Sequence, residues 1–176
     1  MRKLRALFRI ALAAPVTLFF YSVSVLATLV LGAWPRARAR VHGWSFRGWS
    51  RSLCRLFGVR VRVEGRAPRP PFVLVSNHVS YLDILVLGTE LRCVFVAKAE
   101  IDGWPLFGAL CRSVNTIFID RRAKRKLPEV IVQVERTLAA GQGVVIVAEG
   151  TSGAGDRVMP FRSSLLDLPA RLGEPV

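Results

Sequence analysis

Carboxylates are scarce in this chain: 12 Asp and Glu stand against 26 Lys and Arg among 176 residues, for a formal net charge of +14. A surface so poor in acid turns away from cationic partners and toward polyanions, either nucleic acid or an anionic membrane leaflet. Cysteine is scarce too. Cys54, Cys93 and Cys111 show no paired or CxxC spacing, and His42 stands far from all three. That speaks against a disulfide framework or a zinc site and fits a reducing compartment. No serine or cysteine stands in a strained elbow motif, which argues against chemistry through a covalent intermediate. Internal repeats and low-complexity tracts are missing as well. So is any charge between Ile10 and Trp34.

What the chain has in plenty is apolar surface. Hydrophobic residues make up 52% of it and the mean hydropathy is +0.37, high for a soluble nucleic-acid binder. Apolar and basic together point to a protein lying on a membrane, with anionic lipids as partners and no nucleic acid expected. Arg2, Lys3, Arg5 and Arg9 precede the uncharged run, which is long enough to cross a hydrocarbon core. It is also longer than the ~7–15 apolar residues of a cleaved signal, so a retained membrane segment is expected. Arg36, Arg38 and Arg40 follow it as densely as the basic residues precede it, and the positive-inside bias nearly cancels. Two solutions stay open: a helix dipping into one leaflet, bent at Pro15, or a tilted full span. From Val41 to Phe57, Val41, Trp44, Ser45, Gly48, Trp49, Ser52, Leu53 and Leu56 recur at helical spacing, with Arg40, Arg47, Arg51 and Arg55 on other faces. This helix fits the headgroup level, with tryptophans as interfacial anchors, and equally a place on the domain's own core.

Strand and helix patterns alternate from there on. Val59 to Val63 alternates Val and Arg and predicts a half-exposed strand. Gly65 to Pro71 is a Pro-rich turn. Phe72 to Val75, Cys93 to Ala97, Thr116 to Ile119 and Gly143 to Ala148 predict buried strands. Between them lie a helix from about Leu82 to Thr89, a short one opened by Trp104-Pro105-Leu106-Phe107, and one from Lys124 to Ala140. The last carries an inner stripe of Leu127, Val130, Ile131, Val134 and Leu138 and stops at Gly141. The expectation is an α/β domain over residues 58–176 with a mixed, largely parallel sheet flanked by helices, behind a helical membrane-anchoring segment over residues 1–57.

Polar groups follow three of the buried strands: Asn77-His78, Asp120-Arg121 and Glu149-Gly150-Thr151-Ser152. In a parallel sheet those ends share one edge, where ligand chemistry usually sits. His78 and Asp83 are five apart, enough for the chain to turn out of a strand and into a helix. A carboxylate on Nδ1–H would fix the imidazole tautomer and leave Nε2 free as a general base on a hydroxyl. The plainer alternative makes Asp83 a helix cap and His78 a loop histidine. Arg121 offers a planar fork for a phosphate, Gly150 permits close backbone approach, and Thr151 and Ser152 add amides and hydroxyls for anionic oxygens.

These motifs resemble those of the glycerolipid acyltransferase family that includes bacterial 1-acyl-glycerol-3-phosphate acyltransferases. Asn77-His78-Val79-Ser80-Tyr81-Leu82-Asp83 carries its His-x4-Asp motif. Ile117-Phe118-Ile119-Asp120-Arg121 is similar to its second motif, and Val147-Ala148-Glu149-Gly150-Thr151-Ser152 to its third, usually Phe-Pro-Glu-Gly-Thr. Arg157 to Ser164 resembles the continuation, so the likeness runs in order from about Val59 to the end. It implies that His78 is the general base and Asp83 its orienting carboxylate. It further implies that Asn77, Arg121, Glu149, Gly150, Thr151, Ser152 and Arg162 bind the acceptor. The reaction implied is transfer of a fatty acyl group from acyl-CoA or acyl-carrier protein, as cosubstrate, to a lysophospholipid hydroxyl, making phosphatidate at the inner membrane with the site facing the cytoplasm. No metal or tightly held cofactor is implied. A lyso-ornithine lipid is the alternative acceptor, and a basic membrane-surface or nucleic-acid-binding module the non-enzyme alternative. Val147-Ala148 in place of Phe-Pro, and Asn115 where a Gly is usual, depart from the pattern; Asn tolerates the left-handed turn. The family's fourth motif and the last strands of the sheet are expected to lie beyond Val176.

Overall fold

The computed structural model describes residues 2–120, 125, 127–149 and 155–161. Two long helices come first, α1 (Arg2–Val30) and α2 (Pro35–Phe57), followed by β1 (Phe72–Ser76), α3 (Leu82–Glu90) and β2 (Cys93–Lys98). A 3-10 turn (Ala99–Gly103), α4 (Phe107–Ser113), β3 (Ile117–Ile119), α5 (Leu127–Ala139) and β4 (Gly143–Val147) complete the described elements. The four strands form one sheet in the order β1-β4-β2-β3, and every pair is parallel. Both faces are covered, which is why the strands read as near-continuous Val and Ile runs rather than alternating ones.

Alternate residues of each strand serve opposite faces. Val94, Val96, Val144 and Ile146 point to α5 and pack with its Val130 and Val134, as the expected inner stripe requires. Cys93, Phe95 and Val145 point the other way and pack with Phe46 and Trp49 of α2 and with Ile84 and Leu87 of α3. Of the two placements open for α2, the structure therefore has it on the domain core. Its arginines join in: Nε of both Arg47 and Arg51 donates to the Thr89 carbonyl at 2.9 Å, and each guanidinium reaches Glu90 at 3.4 Å. Cations at the carbonyl end of α3 complement its macrodipole. Gly88 lets the two helices close, since a Cβ there would lie 2.6 Å from the Phe46 ring.

Helix α1 runs unbroken through Pro15 and doubles back onto α2. Its inner side is polar. The Ser24 and Ser45 hydroxyls pair at 2.9 Å, Ser45 Oγ lies 2.9 Å from the Phe20 carbonyl, and Trp49 Nε1 donates to Thr17 Oγ1 at 3.0 Å. His42, fully buried, places Nε2 3.1 Å from the Ser24 carbonyl and 3.2 Å from Thr28 Oγ1, while Asn115 Nδ2 donates to its Nδ1 at 2.7 Å. Burial chiefly lowers the His42 pKa, aided by the Arg38 charge and opposed by the Ser24 carbonyl. Asn115 itself sits at φ 59°, the left-handed turn its side chain tolerates. The outer side of α1 is apolar and exposed, with Leu4, Leu7, Phe8, Leu18, Phe19, Leu26 and Leu29 all open. Among the described residues it is the one helix long and apolar enough to cross a membrane.

One expected element is missing: residues 59–63 form no strand. The Val/Arg alternation suits a pleated edge, but a strand persists only where its N–H and C=O groups find a neighbour, and no described strand pairs with this segment.

Candidate active site

The register brings Ser76 of β1 opposite Val147 of β4, and Lys98 of β2 opposite Ile119 of β3. The polar residues that follow thus leave the sheet along one edge, as the strand pattern anticipates. Strand order then decides which of them meet. β1 and β4 are neighbours, so Asn77-His78 and Glu149 emerge side by side. Asp120, after β3, leaves two strands away from β4, on the order of 10 Å.

His78 Nδ1 lies 2.9 Å from Asp83 Oδ2, with the two side chains 19% and 25% exposed. The same oxygen accepts the Val79 N–H at 2.7 Å and the Ser80 N–H at 3.0 Å. Ser80 Oγ in turn accepts the Leu82 N–H at 3.1 Å, in the first turn of α3. The cap reading and the dyad reading of Asp83 are therefore not rivals. One oxygen orders the turn, sits in the acidic-favouring first turn of a helix and holds the ring. A carboxylate can only accept, so Nδ1 carries the proton and the Nε2 lone pair is free to take one. Asn77 is exposed at the mouth, where its carbonyl accepts the Ser76 hydroxyl at 2.9 Å.

Glu149 is only 4% exposed. Its Oε2 accepts the His78 main-chain N–H at 2.7 Å and its Oε1 the Met159 N–H at 2.7 Å. Sequence reasoning places Glu149 beside the acceptor and misses these bonds; the signal it had was a carboxylate directly after a fully buried strand. It also reads Trp104 to Phe107 merely as a helix start. In the structure the Tyr81 and Phe107 rings lie 6.4 Å apart and Trp104 and Phe107 6.3 Å apart, an exposed aromatic ledge at the entry to α3 and α4. Arg121, Gly150, Thr151, Ser152 and Arg162 lie outside the described residues.

The remaining reactive groups are silent. Burial pushes the Cys93 thiol up to about 12 and raises Cys54 and Cys111 as well, so none is poised as a thiolate. Among the described residues no three His, Cys, Asp or Glu side chains are grouped to hold a metal ion. Two open clefts of about 370 and 530 Å³ share Asn115, Arg136 and Thr137, and neither is lined by His78, Asp83 or Glu149. What the geometry of the His78–Asp83 pair can do chemically is transfer a proton at Nε2.

Comparison with known proteins bears on what that proton transfer serves. The family model described as Acyltransferase matches residues 59–176. A lyso-ornithine lipid O-acyltransferase of Rhizobium meliloti (strain 1021) is 38% identical over 154 residues, covering 87% of this chain and 52% of that protein. A 1-acyl-sn-glycerol-3-phosphate acyltransferase of Neisseria meningitidis serogroup B is 30% identical over 128 residues, covering 72% of this chain and 50% of that protein. The chain thus spans about half the length of these relatives. The crystal structure of the 1-acyl-sn-glycerophosphate acyltransferase from Thermotoga maritima superposes with a TM-score of 0.61, over 96% of this chain and 73% of that one; at 23% identity the likeness is one of fold.

Proposed function

Because the chain belongs to the Acyltransferase family, we propose that it moves a fatty acyl group from a thioester donor, acyl-CoA or acyl-carrier protein, to the free hydroxyl of a lysophospholipid. The observation that carries this reading is the 2.9 Å His78–Asp83 bond with Nε2 left open on the ligand edge of the sheet. Nε2 takes the acceptor's hydroxyl proton as the oxygen attacks the thioester carbonyl. Asp83 steadies the imidazolium that forms. The C–S bond then breaks, and the leaving thiolate recovers the proton from the ring, so the dyad ends as it began. Asn77, Arg121, Gly150, Thr151, Ser152 and Arg162 are the proposed acceptor pocket, with Glu149 at its base.

For the acceptor we take 1-acyl-glycerol-3-phosphate, giving phosphatidate, with Arg121 as the phosphate fork. The 38% identity to a lyso-ornithine lipid O-acyltransferase favours a second reading, in which the acceptor carries no phosphate. The apolar outer side of α1 and the basic residues at its two ends support a site on a membrane, among anionic lipids; we take this to be the inner membrane, with the site facing the cytoplasm. The deciding experiment offers labelled acyl-CoA and acyl-carrier protein to the full-length protein with both lysolipids in parallel. Transfer to one acceptor, abolished in His78→Ala, is the expected result. A folded full-length protein that acylates neither would overturn the proposal.

A further inference from the structure

We infer that Glu149 is a positioning residue for the general base and not a ligand of the acceptor, an inference that rests on the acyl-transfer reading for its kinetic arm alone. Three observations converge. The carboxylate is buried, with 4% of the residue exposed. Each of its oxygens accepts a main-chain N–H at 2.7 Å, one from His78 itself and one from Met159. Bonds of that length to a carboxylate are charge-assisted and strong. The segment that supplies the second N–H also lies on the catalytic loop by another route: Gly155 comes so close that a Cβ there would sit 3.2 Å from Val79 Cγ1.

Glu149 therefore works as a two-ended clamp. One end pins the backbone of the residue that carries the base, and the other holds the 155–161 segment over the same loop. The His78 ring is fixed from two independent directions, its Nδ1 by Asp83 and its own backbone N–H by Glu149. A loop of five residues between strand and helix has few constraints of its own, and misplacing a reacting group by about 1 Å costs on the order of a hundredfold in rate. An anion acceptor gains nothing from a carboxylate turned toward it, since like charges repel.

The test compares Glu149→Gln and Glu149→Asp with the parent in the full-length protein. Gln keeps one carbonyl oxygen but turns an N–H toward an N–H at the other end. With ¹⁵N-histidine labelling, the His78 amide is assigned by its absence in His78→Ala, and the buried His42 amide reports an intact fold. The parent His78 amide proton is expected far downfield, and it moves upfield in Glu149→Gln while His42 stays in place. In the transfer assay Glu149→Gln lowers kcat about tenfold to a hundredfold with the acceptor KM unchanged, the factor expected for one charge-assisted bond. Glu149→Asp keeps both oxygens and recovers part of the loss. An unmoved His78 amide overturns the inference whatever the activity, and this reading needs no turnover at all. A loss confined to acceptor KM also overturns it and returns Glu149 to the acceptor pocket. So does a shifted amide with parental kcat.

Discussion

Replacing Asp83 by Asn separates the two tasks its carboxylate performs. Three N–H groups converge on Oδ2, from the His78 ring at 2.9 Å and the Val79 and Ser80 backbone at 2.7 and 3.0 Å. An amide oxygen still accepts from the two backbone groups, so the turn survives and folding loses about 1 kcal/mol. The charge opposite the protonated ring is lost outright. Two unit charges about 4 Å apart at an effective dielectric of ~20 attract by about 4 kcal/mol. With the side chains 19% and 25% exposed, solvent screening brings this to about 2–4 kcal/mol. That interaction exists only once the imidazole has taken the acceptor's proton, so the loss falls on kcat, by about 30- to 1,000-fold, with KM little changed. The assay is initial-rate transfer of labelled acyl groups into lipid, with thermal unfolding measured on the same preparations. Asp83→Ala, which strips all three donors of their partner, lowers kcat at least as far and costs about 2–4 kcal/mol of stability. Refutation would be an Asp83→Asn enzyme within threefold of the parent kcat, since a mere cap survives that change and a counter-charge does not.

Gly88→Ala places a methyl group against Ser50 and the Phe46 ring and is expected to cost about 1–3 kcal/mol in denaturant unfolding; a variant as stable as the parent would show that α2 and α3 have room between them. The His42 pKa is depressed, chiefly by burial, so the folded state holds the neutral ring. The stability this provides is complete above about pH 6.5, the ordinary imidazole value, and is lost as pH falls through the lower folded value. Melting curves between pH 8 and 5 should therefore fall more steeply for the parent than for His42→Gln, and equal slopes would contradict the assignment. Cys93, its thiol pushed up to about 12, should resist iodoacetamide at pH 8 in the folded protein and react after unfolding; rapid native labelling would place it at the surface.

The local features of this fold are legible in the sequence, and the long-range ones are not. Val130, Val134 and Leu138 repeat at helical spacing and do face the sheet, because periodicity reports which side of an element is apolar. The dyad was readable for the same reason: His78 and Asp83 are separated by a single turn of chain. Periodicity does not name the partner. It could not say whether α2 turns Phe46 and Trp49 to lipid or to Phe95, nor that residues 59–63 would find no neighbouring strand. It placed Glu149 on the correct edge, yet could not reveal that its oxygens would meet the His78 and Met159 amides, because that depends on β4 lying next to β1.

That neighbourhood also orders events in time. β4 stands between β1 and β2, although the ribosome makes it after both. β2 and β3 can pair as soon as they are made, whereas β1 finds no strand partner among the described residues until Gly143 to Val147 arrive. Pairings this far apart in sequence form slowly, and their unpaired edges invite other chains meanwhile. The ring–carboxylate pair at 78 and 83 can close early, within one loop. Its clamp, 71 residues downstream of His78, comes with β4, the last of the described strands to be made. Among the described pairings the clamp is thus the later one: a nascent chain can close the His78–Asp83 pair and still lack the Glu149 hold on the His78 backbone until β4 slides between β1 and β2.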